Sequence, residues 1–103
     1  MKVERWNSER DGQLTKAALR RKLELRGYTV TRYVYPPGTC FPPHAHDVDK
    51  ANAVLSGRFR ITLEEESHAL AAGDLVVVPR GVMHDAVVVG GDEVVSLDAV
   101  RTR

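Results

Sequence analysis

The chain lacks most of the features that announce a function directly. One cysteine, Cys40, stands in 103 residues, so no internal disulfide can form and a reducing compartment is expected. Charge of one sign is missing as well: 15 Lys and Arg against 14 Asp and Glu leave a net +1, too little for the basic footprint of a nucleic-acid or anionic-membrane binder. No apolar run approaches the ~20 residues of a transmembrane helix, and Met1–Asn7 has no apolar signal core. The expected location is therefore the cytoplasm. There is no internal repeat and no low-complexity stretch. What remains is ordinary globular material, 43% hydrophobic and 28% charged, of a size that predicts one domain over residues 1–103.

The order of the chain begins with a polar arm, residues 1–13, in which Trp6 is too large an apolar group to stay in water. It is expected to pack on the body of the protein or on a partner subunit. The segment from Leu14 to Gly27 reads as one helix of about three turns. Thr15 serves as N-cap, Leu14 and Leu19 form a hydrophobic staple, and Gly27 is the left-handed residue that ends it. Leu19 and Leu23, four apart, give it a narrow apolar stripe to lay on a sheet. Its basic run Arg20-Arg21-Lys22 reads as a solvated face.

From Tyr28 the period changes to two. Tyr28–Tyr35 is β-branched and aromatic, Ala51–Leu55 and Arg58–Glu64 alternate or run apolar, and His68–Ala72, Leu75–Val78, Asp85–Val89 and Glu93–Val100 follow. Pro36-Pro37-Gly38, Ser56-Gly57, Glu64–Ser67, Gly73-Asp74, Pro79-Arg80-Gly81 and Gly90–Asp92 punctuate them. Short strands with such turns predict an all-β antiparallel sandwich or barrel over residues 28–100 behind the arm and helix of residues 1–27. Arg101–Arg103 reads as a frayed tail.

Within this pattern His44 and His46 stand one residue apart, and in extended backbone i and i+2 face the same side. His84 follows the Pro79-Arg80-Gly81 turn. Gly38, His44, His46 and Gly57, then Gly73, Pro79, Gly81 and His84, fall at the spacing of two known motifs. The first is Gly, five residues, H-x-H, three or four residues, Glu, six residues, Gly. The second is Gly, five residues, P-x-G, two residues, His, three residues, Asn. The sequence thus resembles the cupin superfamily, small antiparallel β-barrels of the jelly-roll type. The resemblance covers Gly38–Val88, about half the chain, and departs from the pattern at Lys50, where the Glu is expected, and at Val88, where the Asn is.

The resemblance implies that His44, His46 and His84 hold a divalent transition metal, with Zn, Fe, Mn, Ni and Cu all compatible with three imidazoles. It also implies a homodimer, as many members pair. Lys50 complicates the ligand set, since an ammonium ~4 Å from a divalent ion would be repelled by roughly 8 kcal/mol at an effective dielectric near 20. Lys50 either swings toward Asp47, Asp49 or the barrel mouth, or binds an anion lying between it and the metal, or marks a site without metal. Asp49 falls on the opposite strand face, and Asp47 reaches the site only by folding back from its loop. Asn52 shares parity with Lys50 and is expected to line the cavity, and Arg80 to reach the mouth, so Lys50, Asn52 and Arg80 are the candidate substrate-binding residues for a small anion. No carboxylate or tyrosine stands out as a general base, and no catalytic residue is assigned. Cys40 reads as a small half-buried strand residue, on the His44 side if the strand is regular. His68 reads as an exposed strand end, Asp85 as facing away from His84, and Arg58 and Arg60 as solvent-facing. Two functions remain open. One is a metal-dependent small-molecule enzyme, dioxygenase- or isomerase-like; the other is a non-catalytic module for a small anion or sugar.

Overall fold

The computed structural model describes residues 1–101. Residues 102 and 103, two of the three assigned to a frayed tail, lie outside it, and Arg101 belongs to the last strand. Nine strands alternate with turns: β1 (Val3–Glu4), β2 (Thr29–Tyr35), β3 (Cys40–His44), β4 (Asp49–Ser56), β5 (Phe59–Leu63), β6 (Glu66–Leu70), β7 (Leu75–Val78), β8 (His84–Val88) and β9 (Val94–Arg101). They form two antiparallel sheets, one in the order β1-β7-β4-β9-β2 and one in the order β3-β8-β5-β6. The expected antiparallel barrel of the jelly-roll type is what the chain adopts.

The two sheets enclose Val54, Phe59, Ile61, Leu63, Leu70, Val76, Val78, Ala86, Val88 and Val94, all buried. A second core lies behind the larger sheet, where helix α2 (Lys16–Glu24) lays Leu19 and Leu23 on Val30, Ala51, Ala53, Leu75, Leu97 and Ala99. The three alanines let the helix approach closely, and each leucine buried there contributes about 1.5–3 kcal/mol relative to exposure. Both faces of the larger sheet are thus covered, which is why Val94–Leu97 is buried at four consecutive positions. The smaller sheet has one wet face, bearing Arg58 and Arg60.

Local chemistry sets the helix. The Thr15 hydroxyl accepts from the Ala18 N–H at 3.0 Å, and Gly27 leaves the helix at φ 89°. The helix is nine residues, shorter than three turns. A further single turn, α1 (Ser8–Asp11), lies in the arm, capped by the Asn7 side chain, and Val3–Glu4 pairs with β7. The arm is therefore not free: Arg5 meets the buried Asp74 at 2.7 Å, and Lys22 and Arg26 both bind Glu4. Trp6 packs on the protein itself, against the helix-facing core. Its Nε1 donates to the Gly12 carbonyl at 2.8 Å. A Cβ at Gly73 would fall 2.5 Å from the Trp6 Cβ, so glycine is required there. The same holds at Gly57, whose Cβ would lie 2.3 Å from the Glu93 carbonyl.

Two placements differ from expectation. Cys40 is exposed rather than half-buried. It pairs with Val87 and Phe41 with Ala86, but His44 pairs with His84, a one-residue shift at Pro42-Pro43. The shift flips the parity, so His44 shares the inner face with Phe41 and Cys40 points outward. The prolines are tolerated because β3 is an edge strand. His68 sits in the middle of β6 opposite Ile61 and is half-buried, not a strand end, with its Nε2 3.1 Å from Glu66.

Candidate metal centre

His44 and His84 are directly opposed across β3 and β8, so their side chains enter the barrel from the same face. Their ring centroids are 4.3 Å apart. His46 lies just past the end of β3 and is set by a different contact. The Gly81 N–H donates to the His46 carbonyl at 2.9 Å, so the turn that precedes His84 also holds His46. Its ring lies 4.7 Å from that of His44 and 5.1 Å from that of His84. One ligand nitrogen from each of the three lies within 4.8 Å of the others.

The tautomers are set by backbone carbonyls. His44 Nδ1 is 2.7 Å from the Pro42 carbonyl and His84 Nδ1 is 2.9 Å from that of Val82. A carbonyl only accepts, so each Nδ1 carries the proton and each Nε2 presents a lone pair. Burial, ahead of the nearby charge of Lys50, holds the His46 pKa below the ordinary imidazole value. Burial also depresses His84, against the opposing effect of its bond to Val82. Both imidazoles are therefore neutral near pH 7, the state a metal requires. The three rings thus offer nitrogens close enough together to share a single ion. The residues fit the metal that the motifs imply.

The histidines line a cavity of about 150 Å³, whose walls also include Tyr35, Phe41, Lys50, Asn52, Phe59 and Asp98. A space of that size takes a benzene-sized molecule. Lys50 and Asn52 alternate with the buried Ala51 and Ala53 on β4, so both face inward, as their parity predicts. Asp49 faces elsewhere and accepts from the Arg80 N–H at 2.9 Å. Arg80 is exposed in its turn and is not part of the cavity wall. Asp47 is exposed on the loop.

The sequence pattern singled out no carboxylate or tyrosine as a general base, yet the cavity has one of each, Asp98 and Tyr35. The Tyr35 hydroxyl donates to Asp98 Oδ2 at 2.8 Å, and the Ser96 hydroxyl donates to Asp98 Oδ1 at 2.7 Å. Burial first, and the Asp98 charge second, push the Tyr35 pKa well above the usual phenol value, so Tyr35 keeps its proton and stays a donor. Asp98 is placed by register, since it pairs with Asn52 on one side and Thr31 on the other. A signal was present in the sequence: Ser96 and Asp98 are polar residues two apart in an otherwise apolar last strand. Tyr35, Phe41 and Phe59 form an aromatic wall with centroids 4.9–6.1 Å apart.

A family model described as Cupin domain matches residues 31–100. An uncharacterized protein of Streptomyces coelicolor, SCO3923, is 37% identical over 62 residues, 60% of this chain and 59% of that protein; the chain thus spans less than two thirds of that relative. Among solved structures, KdgF from Halomonas sp. superposes with a TM-score of 0.65 at 29% identity, covering 75% of this chain and 71% of that one. An oxalate oxidase in complex with the substrate analogue glycolate superposes with a TM-score of 0.66 at 26% identity, over 75% of this chain and 43% of the other. Among the described residues, no helix is long and apolar enough to cross a membrane.

Proposed function

The chain belongs to the cupin domain family, and from that premise we propose that it holds a divalent first-row transition metal on His44, His46 and His84 and uses it to act on a small carboxylate in the adjoining cavity. The observation that carries this reading is the set of three inward imidazoles, two of them with Nδ1 tied to a carbonyl so that Nε2 is free to bind. When bound, such an ion supplies Lewis acidity toward a substrate oxygen. The remaining work falls to the chain. Lys50 supplies a positive charge for the carboxylate, Asn52 offers an amide for a second polar group, and the aromatic wall excludes water from one side of the ligand. Asp98 is the proton acceptor, oriented by Tyr35 and Ser96. The glycolate recorded with the oxalate oxidase is a carboxylate of the size this cavity takes, which supports the substrate class without fixing the substrate.

Lys50 at the motif's Glu position favours a second reading, a non-catalytic module that captures a small anion or a sugar, with or without a structural metal. Elemental analysis of untagged protein supplied with metal and glycolate separates the two. A stoichiometric first-row metal that disappears in His84→Ala supports the enzyme, and protein that takes no metal under any supply leaves only the module. We also assign the cytoplasm as its location and a homodimer as its working form, the latter resting on the edge strands β2 and β3, whose outer backbone groups have no strand partner among the described residues. Arg80, exposed near the metal loop, is retained as a contact to ligand atoms outside the cavity.

A further inference from the structure

Three neutral imidazoles bring no negative charge to a divalent ion, and the position from which the family motif supplies a carboxylate carries an ammonium instead. Lys50 faces the cavity with the three histidines. Among the described residues no carboxylate lies within ion-pair distance of it. The one carboxylate on the cavity wall, Asp98, already accepts from Tyr35 and Ser96. Asp49, the neighbour of Lys50 along β4, is engaged with the Arg80 backbone and lies 4.0 Å from Arg101. A half-buried cation with no counter-ion, next to a cluster suited to a second cation, is unfavourable in both the empty and the metal-loaded state. Each cation weakens the other until an anion reaches both.

We propose that metal and carboxylate load this site together: Lys50 keeps the ion weakly held until a small carboxylate occupies the cavity, and the carboxylate in turn binds tightly only with the ion present. The proposal rests on the metal-binding reading above and adds to it a coupling between the two ligands. Linkage makes the coupling reciprocal, so the factor by which the anion tightens the metal equals the factor by which the metal tightens the anion. The physical source of the coupling is the charge of Lys50, and its removal abolishes the effect without removing a metal ligand. The consequence for the protein is a site that stays largely empty of metal when its carboxylate is scarce. The ion is then recruited with the ligand rather than resident.

The test is a titration of the untagged, metal-free full chain with Co²⁺ against a competing chelator, with and without glycolate, corrected for Co²⁺–glycolate association in solution. Wild type is expected to bind Co²⁺ roughly ten- to hundredfold more tightly in glycolate, the ordinary range of coupling between sites. Lys50→Gln is expected to bind Co²⁺ more tightly than wild type without glycolate and to lose most of the coupling. Lys50→Glu is expected to bind tightest and to show none. Wild-type affinity for Co²⁺ that glycolate leaves unmoved, or a Lys50→Gln variant that keeps the full coupling, overturns the proposal while leaving the three-His metal site standing. Inorganic phosphate that tightens Co²⁺ where glycolate does not overturns the carboxylate assignment. Absence of Co²⁺ binding in wild type with every anion overturns the metal-binding reading itself, and this inference with it. Circular dichroism on each variant shows that any loss is not one of folding, and the two Lys50 variants check one another.

Discussion

Between the two sheets, the side toward β6 and β7 and the side toward β2 and β3 are built on opposite terms. Ile61, Leu70, Val76 and Val78 fill the first with aliphatic side chains of near-zero exposure. The second holds three imidazoles, an ammonium, an amide and a carboxylate around about 150 Å³ of open space. The strands β4, β5 and β8 contribute to both, so the same backbone ladders that bury Val54 and Ile61 also fix Asn52 and His84. The aliphatic side stabilises the fold by removing surface from water. The polar side spends part of that stability, holding neutral histidines and a hydrogen-bonded carboxylate where a packed core would be more favourable.

The largest expected effect breaks the aliphatic side. Ile61→Ala should cost about 2–5 kcal/mol, read from urea denaturation, while metal stoichiometry in the protein that remains folded is unchanged. A metal stoichiometry that falls in proportion to stability would show that the two sides are not separable. Next, His84→Ala should lower Co²⁺ affinity by more than about 100-fold and leave the denaturation midpoint of metal-free protein near wild type. Tyr35→Phe removes a donor from Asp98 and should cost about 1–2 kcal/mol, measured the same way, although Phe preserves the aromatic wall. Equal stability of the two proteins would mean that the Asp98 oxygen is satisfied by solvent.

A pH series sharpens the contrast further. Burial lowers the pKa of His46 and His84 in the folded state, so the unfolded chain binds protons that the folded chain refuses. Stability of the metal-free protein is then fully present above the unfolded value of 6.5 and declines as pH falls below it. His84→Gln should flatten that decline, and denaturant midpoints at pH 7 and pH 5 give the comparison. The smallest effect belongs to the arm, outside both sides. The Arg26 guanidinium, followed by Lys22, lowers the Glu4 pKa from 4.5 to about 2. Glu4→Gln should therefore cost less than about 1 kcal/mol at pH 7. The difference from wild type should shrink as pH falls from 4.5 toward 2, since wild type loses the same charge there.

Much of the fold was legible because its signals are local. Thr15 and Gly27 mark the helix ends, Gly57 and Gly73 sit where a side chain has no room, and the period-two segments from Tyr28 onward form strands whose ends are displaced by a residue or two. The three histidines were legible for the same reason, since motif spacing carries them. What escaped depends on pieces far apart in sequence. Asp98 joins the cavity only because β9 runs between β4 and β2, a lateral order absent from the linear pattern. Tyr35 joins it through its hydrogen bond to that residue. Cys40 changed sides because a single-residue shift at two prolines reverses parity. The short elements β1 and α1 have too little local propensity to be seen, and are held by Arg5 on Asp74, Glu4 on Lys22 and Arg26, and Trp6 against Gly73.

The placement of β9, with helix α2 behind it and the cavity before it, bears on how the gene can vary. Most strands with one wet face accept polar replacements at every other codon. From Val94 to Ala99 that freedom is absent, because Leu97 and Ala99 belong to the helix-facing core, Val94 to the core between the sheets, Val95 is buried, and Asp98 lines the cavity with Ser96 bonded to it. A saturation library across these six codons should be depleted almost uniformly, whereas one across β5 should show tolerance at Arg60 and Thr62 and depletion at Phe59, Ile61 and Leu63.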